Sequence, residues 1–210
     1  MGGDIAPLPD IISLAKKYHA LVYLDDAHAT GILGKDGGGT EDHFEIYNQV
    51  DVVMGTFTKS FGGVGGFIVG SKTLIDYLRI SADSFMFSSS IFPPVVYGLI
   101  KSIEIVKNER WRREKLLRNV AYLKGKLHEL SFDTDNSKTQ IVPIYIGDSK
   151  KALKASQLLL ENNIFIPAAR WPAVPHDKAR LRTTLMCDHT FEQIGTLVSA
   201  LKKVRDWINF

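Results

Sequence analysis

The sequence has very little cysteine: Cys187 is the single one among 210 residues. This excludes an internal disulfide and any zinc site built from several cysteines, and it fits a reducing compartment. No apolar run approaches the length of a membrane span, and Met1 is followed by Gly2, Gly3 and Asp4 instead of a basic stretch and an apolar signal core. We therefore expect a cytoplasmic protein with no targeting segment and no integral membrane segment.

An excess of charge of one sign is also lacking. The 26 basic and 23 acidic residues give a net charge of +3, and they are spread along the chain without the Lys/Arg cluster that binds nucleic acid or a membrane surface. The six histidines show no metal-site spacing; one of them, His28, belongs to a motif discussed below. With 45% hydrophobic and 23% charged residues, the composition is that of a globular protein. We expect no nucleic-acid partner and no metal.

Helix and strand patterns alternate along the chain. Apolar residues at three- and four-residue spacing predict helices over 7–19, 71–80, 95–130 with a break near Asn108, 149–162 and after an N-cap at Thr190. Short apolar runs predict buried strands over 20–24, 50–56, 66–70, 140–146, 164–168 and 179–185. This alternation predicts an α/β fold with a mostly parallel sheet, whose ligands bind beyond the carboxyl ends of the strands.

The most specific motif is GTFTKSFGGVGG at 55–66, in which Lys59 follows a predicted strand and precedes a glycine-rich loop. A lysine held in an enclosed site can lose its proton and form a Schiff base with an aldehyde cofactor, most commonly pyridoxal 5'-phosphate (PLP). Thr56 could then reach the cofactor phosphate. The alternative is that Lys59 is an ordinary surface lysine on a turn, and that the glycines serve chain reversal or form a generic phosphate loop.

A second motif, DDAHATG at 25–31, comes at the end of the preceding predicted strand. A carboxylate against a pyridine nitrogen keeps that nitrogen protonated, which turns the ring into an electron sink, and Asp25 is our candidate for this role. His28 could orient the cofactor and act as an acid or base near neutral pH. The alternative for His28 is a purely structural histidine.

Together, DDAHATG and GTFTKSFG resemble the α-oxoamine synthase family of fold-type I PLP enzymes, and the resemblance covers essentially the whole chain. That family includes serine palmitoyltransferase, 8-amino-7-oxononanoate synthase and glycine C-acetyltransferase, and its members are typically homodimers. The resemblance implies a PLP-dependent acyltransferase that condenses a small amino acid with an acyl-CoA and releases carbon dioxide. The motifs do not decide which amino acid or which acyl-CoA is used.

The resemblance also implies residue roles. Lys59 corresponds to the Schiff-base lysine, Asp25 to the partner of the pyridine nitrogen, His28 to a contact of the phenolic oxygen and Thr56 to a phosphate ligand. Ser88, in MFSSSIFPP, matches a position that reaches the phosphate of the neighbouring subunit's cofactor, which implies a homodimer.

Two arginines match substrate-binding positions of the family. Arg182, in ARLRTTLMCDHT, corresponds to the arginine that holds the substrate carboxylate, which a planar guanidinium can do with two parallel hydrogen bonds. Arg170, in PAARWPAVP, resembles a mobile second arginine. For both, the alternative is a residue on the surface or on an edge strand.

The opening MGGDIAPLPDII resembles an internal segment of the family's large domain. We therefore expect residues 1–98 to be the C-terminal part of the PLP-binding large domain, and 99–210 to be a linking helix and a small α+β domain. The part of the family that stacks an aromatic residue on the cofactor ring is then absent. Two alternatives stay open: another fold-type I PLP enzyme such as an aminotransferase, and a truncated, non-catalytic fragment or partner subunit.

Overall fold

The computed structural model describes residues 1–209, which form two compact units. The lysine unit comprises residues 6–110 and carries Lys59; the arginine unit comprises residues 1–5 with the chain from Trp111 onward and carries Arg182. The division follows Arg110, whereas the boundary expected after residue 98 falls inside a helix over Pro93–Asn108. The identification of these units with the family's two domains stays a prediction.

The lysine unit combines a small sheet with helices, which confirms the predicted α/β class. Its elements in chain order are α1 Leu8–Tyr18, β1 Tyr23–Asp25, α2 Thr40–Phe44, β2 Val52–Thr56, β3 Gly66–Gly70, α3 Lys72–Ser81, α4 Asp83–Met86 and α5 Pro93–Asn108. A buried cluster of Leu8, Ile12, Val22 and Leu24 packs α1 against β1.

The sheet of the lysine unit has the order β1-β2-β3 and is mixed. β1 and β2 are parallel, with Asp25 opposite Met54, whereas β2 and β3 are antiparallel, with Thr56 opposite Gly66. The strand expected over 66–70 is present, but the expectation that it is buried was wrong, because β3 is an edge strand with one neighbour and is largely exposed. Since β3 returns antiparallel to β2, the Lys59 segment is the connection between two adjacent strands.

The arginine unit contains the second sheet. Its elements are α6 Trp111–Glu129, β4 Ile141–Gly147, α7 Ser149–Glu161, β5 Ala168–Ala169, β6 Ala179–Thr184 and α8 Phe191–Ile208. The sheet has the order β4-β6-β5 with antiparallel pairs throughout, and its core includes fully buried Leu123, Val142, Leu181 and Leu201. The strand predicted over 164–168 was wrong except for its last residue, because β5 spans only Ala168–Ala169.

Local signals set the ends of several helices. Ser71 caps α3 by accepting the N–H of Leu74, and Thr190 and Gln193 form the reciprocal hydrogen bonds of a capping box at the start of α8, as predicted. The helical stretch over 95–130 breaks between Asn108 and Trp111, also as predicted. Across residues 1–209, no helix combines the length and the apolar character needed to cross a membrane.

Candidate functional site

Two of the predicted site residues end neighbouring parallel strands. Asp25 is the last residue of β1, and Thr56 is the last residue of β2. Because β1 and β2 run parallel, their carboxyl ends lie at the same edge of the sheet. Asp25 is exposed there, and its Oδ1 accepts the N–H of Ala27 at 3.0 Å. The fold therefore brings a carboxylate and a hydroxyl to one edge, where ligands of α/β sheets bind.

The second aspartate of DDAHATG is buried and holds its loop in place. Asp26 is 3% exposed, and its carboxylate accepts the N–H of Thr40 at 3.1 Å and the Thr40 hydroxyl. Its own N–H donates to the carbonyl of Met54 in β2 at 2.8 Å. Burial raises the pKa of Asp26 above its ordinary value, and the Thr40 hydrogen bonds oppose that rise.

Close packing against Asp26 explains one glycine of the loop before α2. A Cβ added at Gly39, whose φ is +95°, would lie 1.8 Å from Asp26 Oδ2. Only glycine combines this backbone conformation with this approach. From the sequence we assigned no role to Asp26 or Thr40, and the only signal in the sequence was a second aspartate directly after the predicted strand.

The segment from Asp26 to Thr30 forms a tight turn that carries His28. The N–H groups of Ala29 and Thr30 both donate to the carbonyl of Asp26, at 3.0 and 2.9 Å. Within this turn His28 is exposed, whereas Asp26, Ala27 and Ala29 are buried. The turn therefore leaves the imidazole of His28 and the carboxylate of Asp25 accessible on one short segment.

The Lys59 loop starts with two adjacent hydroxyl groups. Thr56 Oγ1 lies 2.9 Å from Thr58 Oγ1, and the N–H of Thr58 donates to Thr56 Oγ1 at 3.2 Å. The N–H of Gly62 donates to the carbonyl of Lys59 at 3.1 Å and closes a turn. Lys59 itself is exposed, a placement that the alternative of a surface lysine on a turn also describes, and its role as the Schiff-base lysine stays a prediction.

A hydrogen bond links the two motif loops. Ser60 Oγ donates to the carbonyl of Thr30 at 2.6 Å, across 30 positions of sequence. Gly31 has a φ of +83°, and a Cβ added there would lie 2.5 Å from Ser60 Oγ. The loops carrying His28 and Lys59 are therefore in direct contact, a contact that the motifs alone did not predict.

Ser88 lies on a separate segment between α4 and α5. It is exposed, and its hydroxyl donates to the carbonyl of Ser84 one turn earlier. Its expected approach to the cofactor of a neighbouring subunit stays a prediction.

The two predicted arginines lie in the arginine unit. Arg182 is in the central strand β6, opposite Pro143 of β4, and its N–H donates to the carbonyl of Pro167 at 2.9 Å. Arg182 is half-buried, and this burial lowers the pKa of its guanidinium from the ordinary value. Arg170 follows the two-residue strand β5 and is exposed, and its carbonyl accepts the N–H of Ala173 at 2.8 Å.

The side chains at and just after the ends of β1 and β2 supply four kinds of functional group. They supply a primary amine, a carboxylate, an imidazole and hydroxyl groups, contributed by Lys59, Asp25, His28, Thr56 and Thr58. Residues 1–209 contain no group of three or more His, Cys, Asp or Glu side chains arranged to hold a metal ion. Groups of these types are the ones that bind an aldehyde, a protonated ring nitrogen and a phosphate.

Comparisons with known proteins identify the family of this chain. A family model described as "Aminotransferase class I and II" matches residues 1–201. The 8-amino-7-oxononanoate synthase of Lysinibacillus sphaericus is 44% identical over 204 residues, which cover 97% of this chain and 52% of the relative. The serine palmitoyltransferase of Bacteriovorax stolpii is 42% identical over 205 residues, which cover 98% of this chain and 49% of the relative.

Solved structures give the same result. A structure described as SPT with PLP matches all of this chain and 53% of its own, with a TM-score of 0.93 and 33% identity. The Sphingomonas wittichii serine palmitoyltransferase matches with the same coverage, a TM-score of 0.93 and 30% identity. The chain thus spans about half the length of the curated relatives it matches. The resemblance to α-oxoamine synthases is confirmed, and the chain belongs to the aminotransferase class I and II family.

Proposed function

We propose that the lysine unit binds PLP through Lys59, and that the chain supplies this site to an α-oxoamine synthase. Such an enzyme condenses a small amino acid with an acyl-CoA and releases CoA and carbon dioxide. One observation carries the proposal. Asp25 and Thr56 are the last residues of parallel β1 and β2, so both lie at the same edge of the sheet, and the Lys59 loop starts directly after Thr56.

The available groups fit this cofactor. When bound, PLP supplies an electron sink that stabilises negative charge at the α-carbon of the amino acid. Lys59 would hold the aldehyde carbon through Nζ, with the aldehyde oxygen lost as water, and its released amine would move a proton at the α-carbon of the substrate. The Thr56 and Thr58 hydroxyls, 2.9 Å apart, would donate to phosphate oxygens, and Thr56 would do so in place of its hydrogen bond to the carbonyl of Gly65 at 3.2 Å.

Asp25 and His28 act on the ring. One oxygen of Asp25 accepts the N–H of Ala27, and a carboxylate has further acceptor sites for the ring N–H. The negative charge of Asp25 would then keep that ring nitrogen protonated. His28, exposed on the turn that follows Asp25, would donate a hydrogen bond to the phenolic oxygen and orient the ring.

We assign the binding of the substrate carboxylate to Arg182, a residue of the arginine unit. Arg182 sits on the central strand β6, which fixes its backbone on both sides, so its guanidinium can hold a carboxylate with two parallel hydrogen bonds. Arg170, exposed after β5, would add a second and more mobile contact. The homodimer, the approach of Ser88 to a neighbouring site and a cytoplasmic location belong to the same proposal.

Borohydride trapping tests the covalent bond. The chain is mixed with PLP, reduced and digested, and the phosphopyridoxyl group is expected on the peptide containing Lys59. Lys59→Ala should abolish the adduct, while Lys72→Ala, which removes an exposed lysine of α3 in the same unit, should leave it unchanged. An adduct mapped to any other lysine would refute the assignment.

Turnover is a separate measurement, since the chain covers about half of its relatives. CoA release from an acyl-CoA is followed with serine, alanine or glycine as the amino acid. CoA release with one of them, absent in Lys59→Ala, supports the synthase. A Lys59 adduct without CoA release would support the alternative of a non-catalytic fragment or partner subunit.

A further inference from the structure

We propose that Ser60 is a positioning residue, which couples the Lys59 loop to the His28 loop and thereby orients Lys59 toward the cofactor. This inference rests on the proposed function for the role of Lys59, but the coupling itself rests on contacts within the lysine unit. Its basis is the hydrogen bond of 2.6 Å from Ser60 Oγ to the carbonyl of Thr30.

The packing around this hydrogen bond is close. At Gly31, an added Cβ would lie 2.5 Å from Ser60 Oγ and 2.9 Å from Ser60 Cβ. Real Cβ atoms do not approach that closely, so the backbone after Thr30 lies directly against the Ser60 side chain. The glycine that closes DDAHATG therefore allows the loop to reach Ser60.

The acceptor side of the hydrogen bond is itself anchored. Thr30 donates both its N–H and its hydroxyl to the carbonyl of Asp26, each at 2.9 Å. Asp26 is in turn buried and held by Thr40. The Thr30 carbonyl, which accepts the Ser60 hydroxyl, thus belongs to a turn that the buried Asp26 carboxylate holds in place.

The donor side is anchored as well. Phe61, which follows Ser60, is buried, and its carbonyl accepts the hydroxyl of Ser102 from α5 at 2.9 Å. The N–H of Gly62 donates to the carbonyl of Lys59 and closes a turn whose two central residues are Ser60 and Phe61.

Before Lys59, the N–H of Phe57 donates to the carbonyl of Gly65 at 2.9 Å and the N–H of Thr58 donates to Thr56 Oγ1 at 3.2 Å. After Lys59 come two anchored residues, Ser60 and Phe61. Because the Lys59 backbone is held on both sides, the direction from which its amine reaches the ring is restricted.

Amide hydrogen exchange without PLP tests the coupling. In Ser60→Ala, segments 27–31 and 57–63 should both exchange faster, by roughly fivefold, the factor that corresponds to the loss of one hydrogen bond of ordinary strength. Ser60→Thr keeps the hydroxyl and should restore slow exchange. Ser81→Ala is the matched control, because Ser81 Oγ donates only within its own helix, to the carbonyl of Tyr77 at 2.7 Å. Unchanged exchange in Ser60→Ala would overturn the coupling.

A spectroscopic titration with PLP tests the orientation of Lys59. The midpoint pH of the visible absorption band of the lysine–cofactor bond should shift in Ser60→Ala and match wild type in Ser81→Ala and Ser60→Thr. An unshifted midpoint with accelerated exchange would reduce Ser60 to a structural role and overturn its positioning role. A wild-type chain without any such band would refute the proposed function, and the exchange data would then still decide whether the two loops are coupled.

Discussion

Replacing Gly31 with alanine is expected to destabilise the lysine unit strongly. Two costs add. The φ of +83° is a conformation that costs a residue with a Cβ about 1–2 kcal/mol. The new Cβ would also lie 2.5 Å from Ser60 Oγ, and overpacking of this kind costs about 1–3 kcal/mol. The expected loss in the free energy of unfolding is therefore about 2–5 kcal/mol.

Gly62→Ala is a matched control for the backbone cost. Gly62 has a similar positive φ of +63°, but an added Cβ there would meet no atom within 4 Å. This variant should lose only about 1–2 kcal/mol, because the steric cost is absent. The difference between the two variants then measures the contact of Gly31 with Ser60.

The assay is urea denaturation followed by far-ultraviolet circular dichroism on wild type, both alanine variants, Ser60→Gly and the double variant Gly31→Ala/Ser60→Gly. Since Ser60→Gly removes the two atoms that the new Cβ would approach within 3 Å, the double-mutant cycle should show a favourable coupling of about 1–3 kcal/mol. Equal losses for Gly31→Ala and Gly62→Ala, together with a coupling near zero, would refute the reasoning.

Two further predictions concern charge. Burial raises the folded-state pKa of Asp26 above its unfolded value near 3.8, so this carboxyl contributes stability below that value and loses the contribution as pH rises through the folded pKa. Urea titrations at several pH values measure the free energy of unfolding of wild type and of Asp26→Asn. The difference, wild type minus variant, should fall as pH rises above about 4. A difference that grows with pH would contradict this prediction. Arg182→Ala should weaken amino-acid binding about 10- to 150-fold, since a charged hydrogen bond contributes about 1.5–3 kcal/mol, as measured by the change in cofactor absorption with amino-acid concentration. Asp25→Asn should instead slow the chemical step with amino-acid binding largely kept, and the same kinetic change in both variants would show that the two roles are not distinct.

Helices with local end signals could be predicted from the sequence. The signals lie within one turn of each helix end, so no distant partner is needed. They are the cap at Ser71, the Thr190/Gln193 pair and the break after Asn108. Strands were predicted less well. β1 begins only at Tyr23, and of the run over 164–168 only Ala168 is in a strand, because a strand exists only where a neighbour pairs with it.

Strand direction also depended on pairing. The apolar run over 66–70 has the composition of a buried parallel strand, but β3 pairs antiparallel with β2 and is largely exposed. Direction follows from the length of the connection, and the segment between Thr56 and Gly66 is too short for the crossover that a parallel pair requires. The composition of the run does not show this direction, whereas the length of the connection can be read from the sequence and could have predicted it.

By itself, the sequence determined the family and the residues with distinctive chemistry, because DDAHATG and GTFTKSFG are short contiguous motifs whose side chains are named by position. Only the tertiary structure decided how those motifs are held. Asp26 meets Thr40 across 14 positions and Ser60 meets Thr30 across 30, and such contacts arise from the path of the chain between the strands. The burial of Asp26 and the exposure of Lys59 are likewise properties of the packed unit, because they depend on which segments cover each side chain.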